Sequence, residues 1–407
     1  MILLAAVAAL QAAQLVVGPG PYARVADALA AARAGDTVRV TAGVYHEHLT
    51  IVRPVVLLGD SGAVLTGDGT GTVVTLRAPA IISGFVIRES GTDQAREDAG
   101  ILAEGADQIV IEGNRLEDVL FGVYLKHSRA PVIRRNVITG RDLPPSRRGD
   151  GIHLWYSHDG VIEDNQVRRT RDVVIWFSNG TEVRGNVVSE GRYGLHYMNS
   201  ASNRFTDNQF FDNDVGAIVM YSDDIAFRRN LFANARGPRG MGLALKGSDR
   251  IVADENVIVK NAIGLFLDNS PHRVDATNEF RNNVVAYNDV GVSLLPSVHD
   301  NRFRDNQFVD NVLPVSVSGG GTALANTWAG NYWSEYAGFD PDGDGFGNTP
   351  FVHDRLSDDL LAKHAGLQLF NAGLAVTAIN AVSRVLPLLS PQPVVVDSLP
   401  RLRRSRP

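Results

Sequence analysis

The chain has 407 residues, a formal net charge of −6, ten histidines and no cysteine. That length suits one large elongated domain. The mild acidic excess argues against nucleic acid as a partner, and the lack of cysteine excludes disulfides and thiolate metal ligands.

The opening run MILLAAVAALQAA is apolar and ends in small residues, so residues 1–13 are expected to be a secretory signal peptide cut near Ala13. No other stretch approaches about 18 uninterrupted apolar residues, and no transmembrane helix is expected. Residues 14–97 read as a cap and first coils. Within them, 21–34 form a short amphipathic helix stopped by Gly35-Asp36. Its expected role is to cover an open sheet end that would otherwise invite aggregation. Strands follow around 37–40, 55–58, 73–76 and 81–87. The loop at 67–71 is glycine-rich but lacks the Lys-Ser/Thr ending of a phosphate loop.

From 98 to 335 the chain repeats itself. A glycine opens a short apolar strand and an asparagine follows fourteen residues later: Gly100 and Asn114, Gly122 and Asn136, Gly151 and Asn165, Gly194 and Asn208, Gly216 and Asn230, Gly242 and Asn256. Asp172 replaces the glycine ahead of Asn186. Copies mostly recur every 21 to 22 residues. A unit that short cannot bury its own apolar side and must stack on its neighbours. The expected fold is all-β, a right-handed parallel β-helix with an N-terminal capping helix and a C-terminal helical tail. Alternation along each strand sends Val123/Leu125, Ile152/Leu154, Leu195/Tyr197 and Leu243/Leu245 into the core. The asparagines are expected to bond one another from coil to coil. Loops at 141–150, 234–241 and 269–279 interrupt the period, and such insertions gather on the binding face of solenoids.

Past Trp328 the character changes. The aromatic stretch at 331–336 closes the last coil, and 336–355 is an acidic loop. There, Asp340, Asp342 and Asp344 alternate ahead of Gly345, like the first half of a Ca²⁺ loop. Phe351 stands where the distal Glu would be, so a calcium site and a plain turn both remain open. Residues 356–407 read as two helices and a basic tail, Arg401 to Arg406. The second helix is apolar on most faces and needs a partner surface.

The residues Gly35-Asp-Thr37, Gly43-Val-Tyr45, Gly330-Asn-Tyr-Trp-Ser-Glu-Tyr336, Asp340, Asp344-Gly345 and Asp397-Ser-Leu-Pro400, together with the coils, resemble the NosD family. These are periplasmic β-helix proteins of nitrous oxide reductase maturation. The resemblance implies a periplasmic protein held at the inner membrane by an ABC permease and its ATPase. It further implies contact with nitrous oxide reductase and a copper-donor lipoprotein, and a part in building the copper-sulfide centre, with copper or a sulfur species as cargo. In that picture the tail docks on the transporter and touches the membrane.

The outward strand positions are where chemistry is expected. In register, Trp155, Trp176, Met198 and Met220 form one column, with His196 beside Met198 and Tyr156 on the same face. Apart from Met1, every methionine lies between 198 and 241. Thioether and imidazole suit Cu(I), and thioether needs no deprotonation. His196, Met198 and Met220 are therefore the expected ligands, and Trp155 and Trp176 the shield. His153, two coils from His196 and roughly 10 Å away, is a weaker ligand candidate. Two other classes compete. A β-helix polysaccharide lyase or epimerase would draw on Asp150, His153, Asp172, Lys126 and Lys246. A structural adaptor of the transporter would bind no metal.

Overall fold

The structure, a computed structural model, describes residues 12–237, 240–354 and 392–404. Short strands separated by tight corners wind into a parallel β-solenoid with three sheets. Sheet I has 14 strands, from Gln14–Val17 to Thr327–Ala329. Sheet II has 13, from Gly43–His46 to Tyr332–Trp333, and sheet III has 12, from Leu49–Ile51 to Leu313–Val317. At about 4.8 Å per coil the stack is about 60 Å long.

The inward assignment holds: Val123, Leu125, Ile152, Leu154, Leu195, Tyr197, Leu243 and Leu245 are at most 1% exposed. Each such side chain contributes about 1.5–3 kcal/mol by leaving water. Aromatic stacks thread the C-terminal half, with Phe205 over Phe227 at 4.7 Å and Phe303 over Trp328 at 3.9 Å.

The asparagines bond as expected. Asn136 Nδ2 donates to Asn165 Oδ1 at 3.0 Å and to Ile111 O at 2.8 Å, and Asn165 repeats the pattern on Asn186 and Ile133 O. Three further ladders escaped the sequence reading. Asn261, Asn288 and Asn311 form one, and Asn278, Asn301 and Asn326 another. In the last, the serines 157, 178, 200 and 222 each accept a backbone N–H from the coil before. Buried corners thus satisfy their polar groups internally.

The opening glycines are a steric requirement. A Cβ on Gly122 would lie 2.3 Å from Gly151 O, and one on Gly216 2.4 Å from Gly242 O. Only a bare backbone lets the coils approach this closely. Asp172 occupies this column, and there the strand register slips between Asp172 and Val174.

The expected strand at 81–87 is two strands, Ala80–Ser83 and Val86–Arg88, because the chain turns a corner at Gly84 with φ +84°. The capping helix is shorter than expected, Val25–Ala31, and its first N–H groups, Val25 and Ala26, are taken by the Glu47 carboxylate at 2.8 and 3.0 Å.

At the far end, Phe351–His353 pairs antiparallel with Val395–Asp397. Asp397 is fully buried, and its Oδ2 accepts Asn331 N, Asn331 Nδ2 and Trp333 Nε1 at 3.1, 2.8 and 3.0 Å. A carboxylate therefore ends the main asparagine ladder. Arg401 pairs with Asp305 at 2.6 Å and lies over Phe346, so this part of the basic tail folds back on the solenoid. The two expected tail helices and most of the expected signal peptide lie outside the described residues. No helix among those described is long and apolar enough to cross a membrane.

Candidate functional site

Sheet III presents two outward columns whose register matches the sequence reading. One runs Tyr124, His153, Val174, His196, Ile218. The other runs Lys126, Trp155, Trp176, Met198, Met220, Lys246. Met198 and Met220 are direct neighbours, each half-buried, and His196 stands beside Met198 on the same strand.

Both histidines are held from behind by buried carboxylates. His153 Nδ1 is 2.9 Å from Asp150 Oδ2, and Arg171 grips Asp150 through two bonds of 2.9 and 3.1 Å. His196 Nδ1 is 3.1 Å from Asp172 Oδ2, with Arg192 Nε 3.0 Å from Asp172 Oδ1 and Tyr193 N also donating to Asp172. Burial pushes the Asp172 carboxyl up, but its bonds from His196 and Arg192 outweigh this and hold it below its ordinary value. An ionised carboxylate on Nδ1 keeps the proton there, so Nε2 is left as a lone-pair donor. This is the orientation usual for metal-bound imidazole. The Trp176 ring stands edge-to-face with both imidazoles, 5.6 Å from His153 and 4.9 Å from His196. Tyr124 stacks on His153 at 4.2 Å. Burial, then Glu97, push its phenol well above the ordinary range and keep it neutral.

Arg171 and Arg192 were missed by the sequence reading, as were the supporting roles of Asp150 and Asp172. The replacement of a glycine by Asp172 was the available signal. A second missed feature lies at the corner after eight of the twelve sheet III strands. There the backbone is left-handed, with φ +53° at His127, +47° at Tyr156, +51° at Phe177 and +50° at Tyr221. Other coils put Gly105, Asn199, Gly247 and Asn269 at that corner, residues that accept this conformation at little cost. Tyr156 and Phe177 stack at 4.7 Å, extending the tryptophan column into an exposed aromatic rim. Leu143, in the 141–150 loop, packs beside Trp155 against the Phe121–Tyr124 cluster. Met241 is buried against Tyr193, Ile218 and Phe266 and serves packing.

Lys126 and Lys246 pair with Glu97 and Asp268, and Asp150 and Asp172 are consumed by arginines. Among the described residues, only Asp340, Asp342 and Asp344 bring three acidic or imidazole ligand atoms together, all within 4.8 Å. That group lies beyond the last coil, away from sheet III. Phe351, at the place of the missing Glu, is buried in the closing strand pair and supplies no carboxylate.

Residues 134–338 match the family model described as periplasmic copper-binding protein (NosD). The chain is 30% identical over 396 residues to the "Probable ABC transporter binding protein NosD" of Pseudomonas aeruginosa, covering 89% of this chain and 87% of that one. The chain belongs to the NosD family. A second NosD, from Stutzerimonas stutzeri, is 28% identical over 399 residues, covering 90% of this chain and 86% of its own. Solved structures share the fold at much lower identity. The mannuronan C-5 epimerase AlgE4 A-module of Azotobacter vinelandii has a TM-score of 0.52 at 16% identity, covering 72% of this chain and 91% of its own. The catalytic domain of a GH87 α-1,3-glucanase has 0.54 at 12%, covering 79% and 69%. At such identity they speak for the solenoid alone.

Proposed function

We propose that this chain is a periplasmic maturation factor that holds copper as cargo, as Cu(I), on sheet III. In this reading it works with an ABC permease and its ATPase toward the copper-sulfide centre of nitrous oxide reductase. The observation that carries the reading is the in-register pair Met198 and Met220 beside an imidazole whose Nδ1 is bound to an ionised carboxylate. The family descriptions, periplasmic copper-binding and ABC transporter binding, support it.

His196 Nε2 and the two thioethers form a soft, three-donor set with no charge of its own, suited to a monovalent copper ion. Asp172 and Arg192 fix the imidazole, and the Trp176 indole excludes water on one side. The tail, residues 356–407, is the segment assigned to docking on the permease, and its described part meets the last coil, where Val394 N donates to His353 O at 2.8 Å.

The test is anaerobic Cu(I) titration against a competing chelator. Met198→Leu with Met220→Leu keeps volume and apolarity. Cu(I) affinity falls at least about tenfold with the loss of both soft donors, while the melting temperature stays nearly constant. Unchanged Cu(I) affinity in the double variant removes this site and favours the metal-free adaptor.

A further inference from the structure

His153 does not belong to the His196–Met198–Met220 site. Val174 stands between the two histidines in register, so they are roughly 10 Å apart. Two nitrogens bound to one ion at about 2.0 Å each lie no more than about 4 Å from one another. The Trp176 ring also separates the two imidazoles.

His153 nevertheless carries the same support as His196, a buried aspartate clamped by an arginine. The residue is 6% exposed, and its Nε2 has no hydrogen-bond partner. The neighbouring Trp176 Nε1 is buried and unpartnered as well. With Nδ1 turned to Asp150, Nε2 is the ring nitrogen left to meet a cation.

We infer that His153 is a second, separate station for a cuprous ion, held by one imidazole and walled by the Trp176 indole. The inference rests on the reading of this face as a copper face. Indole faces attract cations. The two stations differ in kind. His196, Met198 and Met220 surround an ion with three protein donors and retain it. His153 supplies one donor in a closed aromatic setting, so its ion is held more weakly than that of the three-donor station. The ion stays Cu(I) throughout, and no electron moves.

The experiment uses the full chain, titrated anaerobically with Cu(I) against graded competing chelator. It follows bound copper, indole fluorescence and the His153 imidazole NMR signals. The expected result is two equivalents, the weaker one shifting the His153 signals and quenching the indole emission. His153→Phe keeps a ring between Tyr124 and Trp176 but removes both nitrogens. It should bind one equivalent, since the methionine site keeps all three of its donors. If that variant fails to fold, the wild-type His153 signals decide alone. A second equivalent that survives His153→Phe, or His153 signals unmoved at saturation, overturns the station. A single equivalent in the wild type also overturns it but leaves the methionine site standing. No bound copper at all overturns the copper reading itself.

Discussion

At the scale of single residues, Asp172 matters most. It occupies a column where glycine lets coils touch, shifts the strand register, and turns its carboxylate to His196 and Arg192. Its pKa is lower in the folded state than the ordinary value of about 3.9. The stabilisation is therefore complete above that value and is lost as pH falls through the lower folded one. Asp172→Asn leaves the part-exposed Arg192 without its anion and should cost about 1–2 kcal/mol at pH 7 in urea unfolding. The variant should also show a flatter loss of stability as pH falls below about 4 and a Cu(I) affinity about 10–100-fold weaker. Identical acid profiles for the two proteins would refute the assignment. The sequence exposed half of this. His196, Met198 and Met220 were legible because alternation and the coil period fix their column. Arg171 and Arg192 were not, because they sit at corners, where side-chain direction follows backbone turns that a period-2 pattern does not describe.

At the scale of the coil, the inward and outward positions carry unequal stability. Leu195 is fully buried, whereas His196 is outward and bonded only through Nδ1. Leu195→Asp places an unpaired charge in the core and should unfold the domain. His196→Ala leaves Asp172 bound to Arg192 and should cost about 1 kcal/mol. Comparable losses in thermal melts would mean the facing is misassigned. One asparagine ladder was legible because it runs the length of the solenoid at a constant offset from the glycines. The ladders through Asn288 and Asn301 begin late and offer too few copies, and serine at a corner carries little signal among the many polar turn residues.

At the scale of the whole molecule, the closing strand decides what can be removed. Truncation after residue 354 strips Asp397 from Asn331 and Trp333 and leaves three buried donors unsatisfied. Each such donor costs about 1–3 kcal/mol, and the exposed sheet ends invite association. Joining 354 to 392 through a short turn removes the segment between them and keeps the antiparallel pair. The excised protein should melt close to the full chain and stay monomeric, while the truncated one melts lower and scatters light. Calorimetry and light scattering compare the two directly, and equal melting temperatures for both would show that Asp397 is dispensable. The Asp397-Ser-Leu-Pro motif was visible in the sequence. Its partner was not, since 66 residues separate Asp397 from Asn331 and no local pattern spans that gap.

The aromatic corners bear on descent as well as on binding. A left-handed tyrosine, phenylalanine or histidine costs roughly 1–2 kcal/mol where asparagine or glycine would cost little. Four such corners flank the tryptophan and methionine columns, with Asn199 among them and Gly105 and Gly247 at the coils to either side. Selection removes only changes that take a protein below the stability its task requires. A lineage released from handling cargo on this face would thus drift toward asparagine and glycine at positions 127, 156, 177 and 221, gaining stability as it did so. Retained aromatic residues at those four corners would then mark the members of such a group that still use the face.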